Sequence, residues 1–452
     1  MHPTARALAL LLALLSNVER STAGERIVAG PPVAVSADRP EIPHFELSLA
    51  AHPTNPEILF GVAVTLPEDL SQRDLTATIV AGFRSPDGGR TWTRAAFPEC
   101  RIDPWVTFGE GDAVFLSCMG KEGSPVLVYR SADAGRTWEG PVPVPLGGGK
   151  GVDRPVVVTG PGTVYVAFSL YSKVPGLPSS VYGPAVSRST DGGRTFSEPV
   201  VLRHDTLTQQ SFDAATLSGG GLVVPFMDFA VGDSALLAHR RTWIVRSDDG
   251  GRTFTLPALA REQIDREMPW SMAVDRSARH RDRLYLVVDG YWERNGGKPA
   301  PDRPLPLGGL FVLISDDRGA TWRPAGRVSD APPGANQETP VIAVNKEGIV
   351  GVAWYDTRHD PGGECFDLYF SASLDGGATF LPNVRITPET SCPQGSPKQR
   401  GVATRWRFGG DYSGLAAGAD GRFHAFWADS RTGVYQVWWA EVRVNFDERS
   451  DP

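Results

Sequence analysis

Carboxylates and guanidiniums recur in this chain where they could act together on a charged substrate. Acidic residues stand at or near the start of seven apolar segments: Glu46, Asp103, Asp153, Asp213, Glu267, Glu338 and Asp411. Arginines accompany them as Arg39, Arg101, Arg154, Arg405 and Arg407, with Arg358 in WYDTR and Arg431 in WADSR after two later apolar runs. Tyr412 follows Asp411 directly. Gathered in one cleft, such a set can hold an acidic sugar through arginine and perform acid/base work on it through carboxyls. The same acids and arginines can also simply pair or cap strand ends, so the chemistry depends on what gathers them.

Other chemistries fit poorly. The eight histidines show no HExxH spacing, so a zinc hydrolase lacks its ligands. LGGGKG at 146–151 has neither the spacing nor the following Ser or Thr of a phosphate-binding loop, and no GxSxG nucleophile elbow occurs. The formal net charge of −7 offers no basic stripe for a nucleic-acid backbone.

The positioning elements are announced by a repeat. SPDGGRTW from Ser85 returns as SADAGRTW from Ser131, STDGGRTF from Ser189, SDDGGRTF from Ser247, SDDRGATW from Ser315 and SLDGGATF from Ser373. Five fixed positions should coincide by chance roughly once in a million windows, so six copies mean a structural repeat. Between the boxes run Val-, Ile-, Phe-, Tyr- and Trp-rich segments broken by Gly turns, as in TPVIAV-NKEG-IVGVAWYDTR-HDPGGEC-FDLYFSA, the composition of strands buried on both faces. Four strands per unit, at intervals of about 60 residues, predict an all-β fold, a β-propeller.

First strands are expected near His44, Asp103, Asp153, Ser211, Met268, Glu338 and Asp411, which makes seven four-stranded blades. The last unit stops after three strands, and IVAGPPVAVSA at 27–37 is left over to supply the fourth and remove an open edge. Six blades are the alternative, because the boxes also number six. Each box reads as a hairpin between third and fourth strands, with Asp accepting turn amides and Gly at the fifth place taking positive φ. A calcium loop is the other reading of the box, but the 12-residue Asp/Asn ladder ending in Glu is missing.

In a propeller the turns between strands one and two and between three and four share one face. The boxes therefore mark the face away from the acids, arginines and long loops. Cys100 with Cys118 and Cys365 with Cys392 fall on the acid face in two blades, and two bridges are expected in an oxidising compartment. At the N-terminus, Arg6 precedes an apolar run from Ala7 to Leu15, too short to span a bilayer, and Ser21-Thr22-Ala23 follows. Residues 1–24 are read as a signal peptide and 25–452 as one propeller domain of a secreted or periplasmic protein without a membrane span, expected to be a monomer.

The six boxes resemble the Asp-box, or BNR, repeats of the sialidase-like superfamily, as do DRPVVVTGPGTVYVAFS and FGGDYSGLAAGADGRFHAFWADSR, over residues 27–445. The resemblance implies a retaining exo-sialidase-like glycoside hydrolase with a tyrosine nucleophile, a glutamate that activates it, an aspartate acid/base and arginines that clamp a sugar carboxylate. Tyr412 in YSGL matches the nucleophile phrase, Glu338 is its expected partner, and Asp103 is taken as the acid/base from its funnel position. Arg39, Arg154, Arg358, Arg405, Arg407 and Arg431 are the candidate substrate-binding arginines, with a glycan or glycoprotein as substrate and no resident cofactor. Two alternatives stay open: a non-catalytic propeller that binds glycan or protein, and a hydrolase or lyase on another glycan, with a funnel cation such as calcium.

Overall fold

The computed structural model describes residues 26–66, 77–121, 125–173, 180–202, 208–229, 239–264, 271–289, 309–360, 362–393, 402 and 407–446. The segment read as a signal peptide, Glu267 and Arg405 lie outside them. The chain forms seven antiparallel sheets arranged in a ring, a seven-bladed β-propeller. Inner strands of blades one to seven begin at His44, Cys100, Gly151, Thr208, Ser271, Gln337 and Gly414. The seven-blade reading therefore holds, and the six-blade alternative does not.

Second strands carry the core. Leu59–Thr65, Val350–Asp356 and Phe423–Asp429 are buried along their whole length, because each is covered by a blade on either side. That requirement explains their unbroken apolar runs, where a sheet with one wet face would alternate. Fourth strands such as Thr93–Phe97 and Arg323–Arg327 face solvent and carry charge. Blades mesh by opposing glycine to phenylalanine: a Cβ on Gly61 of blade one would stand 2.4 Å from the Phe426 ring of blade seven. A Cβ on Gly351 of blade six would stand 2.6 Å from Phe423.

The ring closes as predicted. Ile27–Ala29 pairs antiparallel with the third strand of blade seven, Gln436–Val444, in the register Ile27↔Val444, and Val33–Ala34 continues along the same strand at Trp439 and Trp438. Joining the two chain ends in one sheet satisfies an edge that would otherwise be open. Ser36 and Gln436 lock the seam with a 2.6 Å side-chain hydrogen bond, and Gln436 Nε2 also donates to Ile42 O at 2.9 Å.

All six boxes share one hydrogen-bond pattern. In the first, Gly89 N donates to Ser85 Oγ (2.8 Å), while Thr91 N and Thr91 Oγ1 donate to the two oxygens of Asp87 (2.9 and 2.7 Å). The equivalent bonds recur around Asp133, Asp191, Asp249, Asp317 and Asp375. Box and first turn share a face, since Gly88 N donates to Glu57 O and Ala134 N to Asp112 O.

Each box also packs on the preceding blade. The fifth-place glycine has positive φ (93° at Gly89, 80° at Gly135), and a Cβ there would meet Trp439 of blade seven at 2.3 Å or Phe60 of blade one at 2.5 Å. The fourth-place carbonyl accepts an arginine from the blade before, as Arg84 Nε donates to Ala134 O (2.8 Å) and Arg283 Nη1 to Gly376 O (3.2 Å). The boxes are thus staples between blades as well as hairpins.

Candidate active site

On the opposite face the inner strands are kinked. Glu46, Asp103, Arg154 and Thr339 adopt positive φ of 51°, 54°, 51° and 50°, each where the first strand of blades one, two, three and six slips register against the second. Non-glycine residues take this conformation at a cost of about 1–3 kcal/mol each, and four at one funnel mouth mark a place where side-chain direction overrides strand regularity. In three of them proline follows directly, as Pro104, Pro155 and Pro340. These are the X-Pro pairs a sequence reading could have used to find the bulges.

Three bulged or adjacent residues converge with Tyr412. The Arg154 guanidinium lies 5.3 Å from the Tyr412 ring centroid, its Nη2 donates to Asp411 Oδ2 at 3.0 Å, and its backbone N donates to Asp103 Oδ2 at 3.2 Å. Trp105 meets Tyr412 edge-on at 6.1 Å. From blade four, Gln210 Nε2 donates to Asp153 Oδ2. Trp105 and Gln210 were not foreseen, and no charge or spacing in the sequence singles them out.

Burial sets the electrostatics. Tyr412 is 8 % exposed, and its hydroxyl has no hydrogen-bond partner among the described residues. Burial raises its pKa well above the phenol range; Arg154 opposes the shift, whereas Asp103, Glu46 and Asp153 add to it. Asp103 is held well above the ordinary carboxylate range by burial and then by the neighbouring charge of Asp153, against the pull of Arg154. Its carboxyl is therefore one that can carry and release a proton near neutrality. Asp213, buried in blade four, is likewise pushed up to about 7 by burial, although it accepts amides from Met272 (2.7 Å) and Ala214 (2.8 Å).

The remaining predicted residues are placed as follows. Glu338 immediately precedes the blade-six bulge, and Ser413 Oγ donates to Thr339 O at 3.3 Å, which ties the strand of Tyr412 to that bulge. Arg358 and Arg431 are held inside their own motifs. Asp356 accepts Trp354 Nε1 (2.9 Å), Arg358 N (2.8 Å) and Arg358 Nη2 (2.8 Å), and Asp330 takes Arg358 Nη1 at 2.8 Å. Asp429 does the same for Trp427 and Arg431, whose guanidinium also stacks 4.4 Å from Trp438. Arg407 donates to Gly363 O and lies over Phe408, and Arg39 sits in the turn after the N-terminal strand, its N donating to Ser36 O. Among the described residues, Arg154 is the predicted arginine whose guanidinium lies over the Tyr412 ring.

The Cys100–Cys118 and Cys365–Cys392 disulfides are both present as expected. The second anchors the loop whose Gly363 receives Arg407. Among the described residues no three His, Cys, Asp or Glu side chains are grouped to hold a metal ion, and no helix is long and apolar enough to cross a membrane.

No family model matches the chain. It is similar to the crystal structure of a protein of unknown function from Dyadobacter fermentans, with a TM-score of 0.51, 12% identity and coverage of 93% of this chain and 100% of that one. A Hadza microbial sialidase matches at a TM-score of 0.47 and 16% identity, covering 86% of this chain and 74% of its own. A polysaccharide lyase, an ulvan lyase, matches at 0.47 and 11% identity, covering 88% and 93%. At these identities the first likeness shows the propeller fold, and the propeller is what the chain shares with it.

Proposed function

We propose that the chain is a secreted or periplasmic sialidase-like glycoside hydrolase that acts on an acidic glycan and retains configuration through Tyr412. The supporting observation is the buried Tyr412 hydroxyl, without a hydrogen-bond partner among the described residues, whose ring lies beneath Arg154 and whose pKa feels Asp103. A neutral phenol suits an anionic sugar, since a carboxylate nucleophile would repel the substrate's own carboxylate. In the first step Tyr412 Oη bonds to the anomeric carbon while the bond to the leaving oxygen breaks. Asp103 gives its proton to that oxygen, and Glu338 takes the proton of Tyr412. In the second, water attacks the same carbon, Asp103 recovers a proton from it, and Tyr412 leaves with the proton held by Glu338. The raised pKa of Tyr412 makes such a base necessary.

A second reading, a non-catalytic propeller that binds an acidic glycan in the same funnel, is favoured by the commitment of Arg358 and Arg431 to their own aspartates. Turnover of a sialylated fluorogenic substrate separates the two. Wild type should release the fluorophore, and Tyr412→Phe should lower kcat/KM by about 10³-fold or more. Full activity in Tyr412→Phe would overturn the mechanism. Retention on a glycan array without turnover, lost in Arg154→Met, would establish the binding reading instead.

A further inference from the structure

Where the inner strands reach the box face, their ends enclose a cavity of about 520 Å³. That is within the range of about 300–1,000 Å³ usual for small-molecule sites. Its walls are the stretches 107–110 of blade two, 158–161 of blade three and 214–218 of blade four, with Val274 and Arg276 of blade five and Pro53 of blade one. All of these stretches lie among the described residues. The cavity therefore opens on the face opposite the Tyr412 funnel.

A ladder of hydrogen bonds fixes the walls from blade to blade. Thr159 Oγ1 of blade three donates to Phe108 O of blade two at 2.9 Å, and Thr216 Oγ1 of blade four donates to Thr159 O at 2.8 Å. In blade five an arginine makes the equivalent rung: Arg276 Nη2 donates to Thr216 O and to Thr216 Oγ1, both at 2.8 Å. Two blades manage this rung with a threonine hydroxyl, so the guanidinium brings donors that the ladder does not need. Of its five N–H groups, the three on Nε and Nη1 make no hydrogen bond among the described residues. Asp282, the acid whose charge Arg276 feels, is taken by Ser218 N at 2.7 Å and Ser218 Oγ at 2.6 Å.

The lining selects the ligand. A guanidinium anchored through one nitrogen, with spare N–H groups, suits a single carboxylate through charge-assisted hydrogen bonds. Glu110 also lines the cavity; its Oε1 accepts Gly162 N at 3.2 Å, which leaves Oε2 to accept hydroxyls. One anion set beside one cation disfavours a polyanion and favours a ligand with one negative charge and several hydroxyls. Phe108, Leu217 and Val274 supply apolar surface for its carbon face. We propose that this box-face cavity binds a sugar acid of about monosaccharide size, Arg276 donating to its carboxylate and Glu110 accepting from its hydroxyls. The site is separate from the funnel, and nothing in it depends on turnover at Tyr412.

Glucuronate is the probe and glucose its uncharged counterpart, each titrated into the intact protein by saturation-transfer NMR. Wild type should bind glucuronate saturably and about 10-fold or more tightly than glucose. Arg276→Thr installs the rung that blades three and four already use, so it keeps the ladder while removing the charge. It should weaken glucuronate binding by about 10-fold and leave the urea midpoint in place. Arg276→Lys, which keeps the charge, should recover part of that loss. The same titration in Arg154→Met removes the funnel arginine and should leave the Arg276-dependent binding unchanged. Binding that is lost in Arg154→Met and unchanged in Arg276→Thr would put the ligand in the funnel and overturn the proposal. Absence of saturable glucuronate binding in wild type, or equal affinity for glucose, would overturn it too. None of these outcomes touches the hydrolase reading, which stands or falls with Tyr412→Phe.

Discussion

Aspartates on the two faces of this propeller have opposite electrostatic fates. On the box face, Asp133 accepts Thr137 N and Oγ1 and Ser131 Oγ; these bonds outweigh a slight burial and hold its pKa down at about 2. Around the funnel, Asp103 and Asp213 are buried with few charge-satisfying donors and move upward. One residue type therefore serves two purposes, and donors set against burial decide which. Carboxylates held by many donors stay ionised, whereas buried ones with few donors keep a proton to higher pH.

The largest effect expected from breaking this contrast lies on the box side. Gly89→Ala should destabilise the protein by about 4 kcal/mol, because a side chain at positive φ is strained and its Cβ would collide with Trp439. Gly433→Ala, at φ 104° with open space around it, is the control and should cost about 1 kcal/mol in urea unfolding. Equal losses would mean that the box glycine serves the turn alone and not the joint between blades.

Next comes the funnel side. Asp213 has a raised pKa in the fold, so its penalty is absent below the unfolded value near 3.8 and grows as pH rises towards about 7. Wild type should lose about 2 kcal/mol between pH 5 and pH 8 relative to Asp213→Asn, read as diverging thermal midpoints. Parallel curves would show that Asp213 ionises freely.

The smallest effect has the opposite sign. Asp133 is depressed, so its contribution is complete above 3.8 and fades as pH falls through about 2. Asp133→Asn should cost about 1 kcal/mol at pH 6 and progressively less below pH 4. A deficit that did not shrink in acid would assign the role of Asp133 to shape and not to charge.

The propeller was legible because its rules are local. The Ser-x-Asp-x-Gly-x-Thr boxes specify their own hydrogen bonds, unbroken apolar runs mark strands covered on both sides, and the unpaired last blade required IVAGPPVAVSA as its fourth strand. The funnel was legible only in part. Arg358 and Arg431 lie near second-strand ends as read, yet their use inside Trp-Asp-Arg networks depends on side chains turning back on their own motifs. The inter-blade staples were likewise invisible, since nothing in SPDGGRTW names Trp439.

By itself, then, the order of residues determined the blade count, the closing strand, the two disulfides and the face on which chemistry could sit. Each follows from short-range pattern and from the need to leave no strand edge open. Tertiary structure alone decided that Arg154 would lie over Tyr412, that its backbone N would donate to Asp103 Oδ2, and that burial would raise the pKa of an aspartate in one place while hydrogen bonds lowered it in another. Those outcomes depend on distances between blades and on excluded water, and neither is written in any one stretch of the chain.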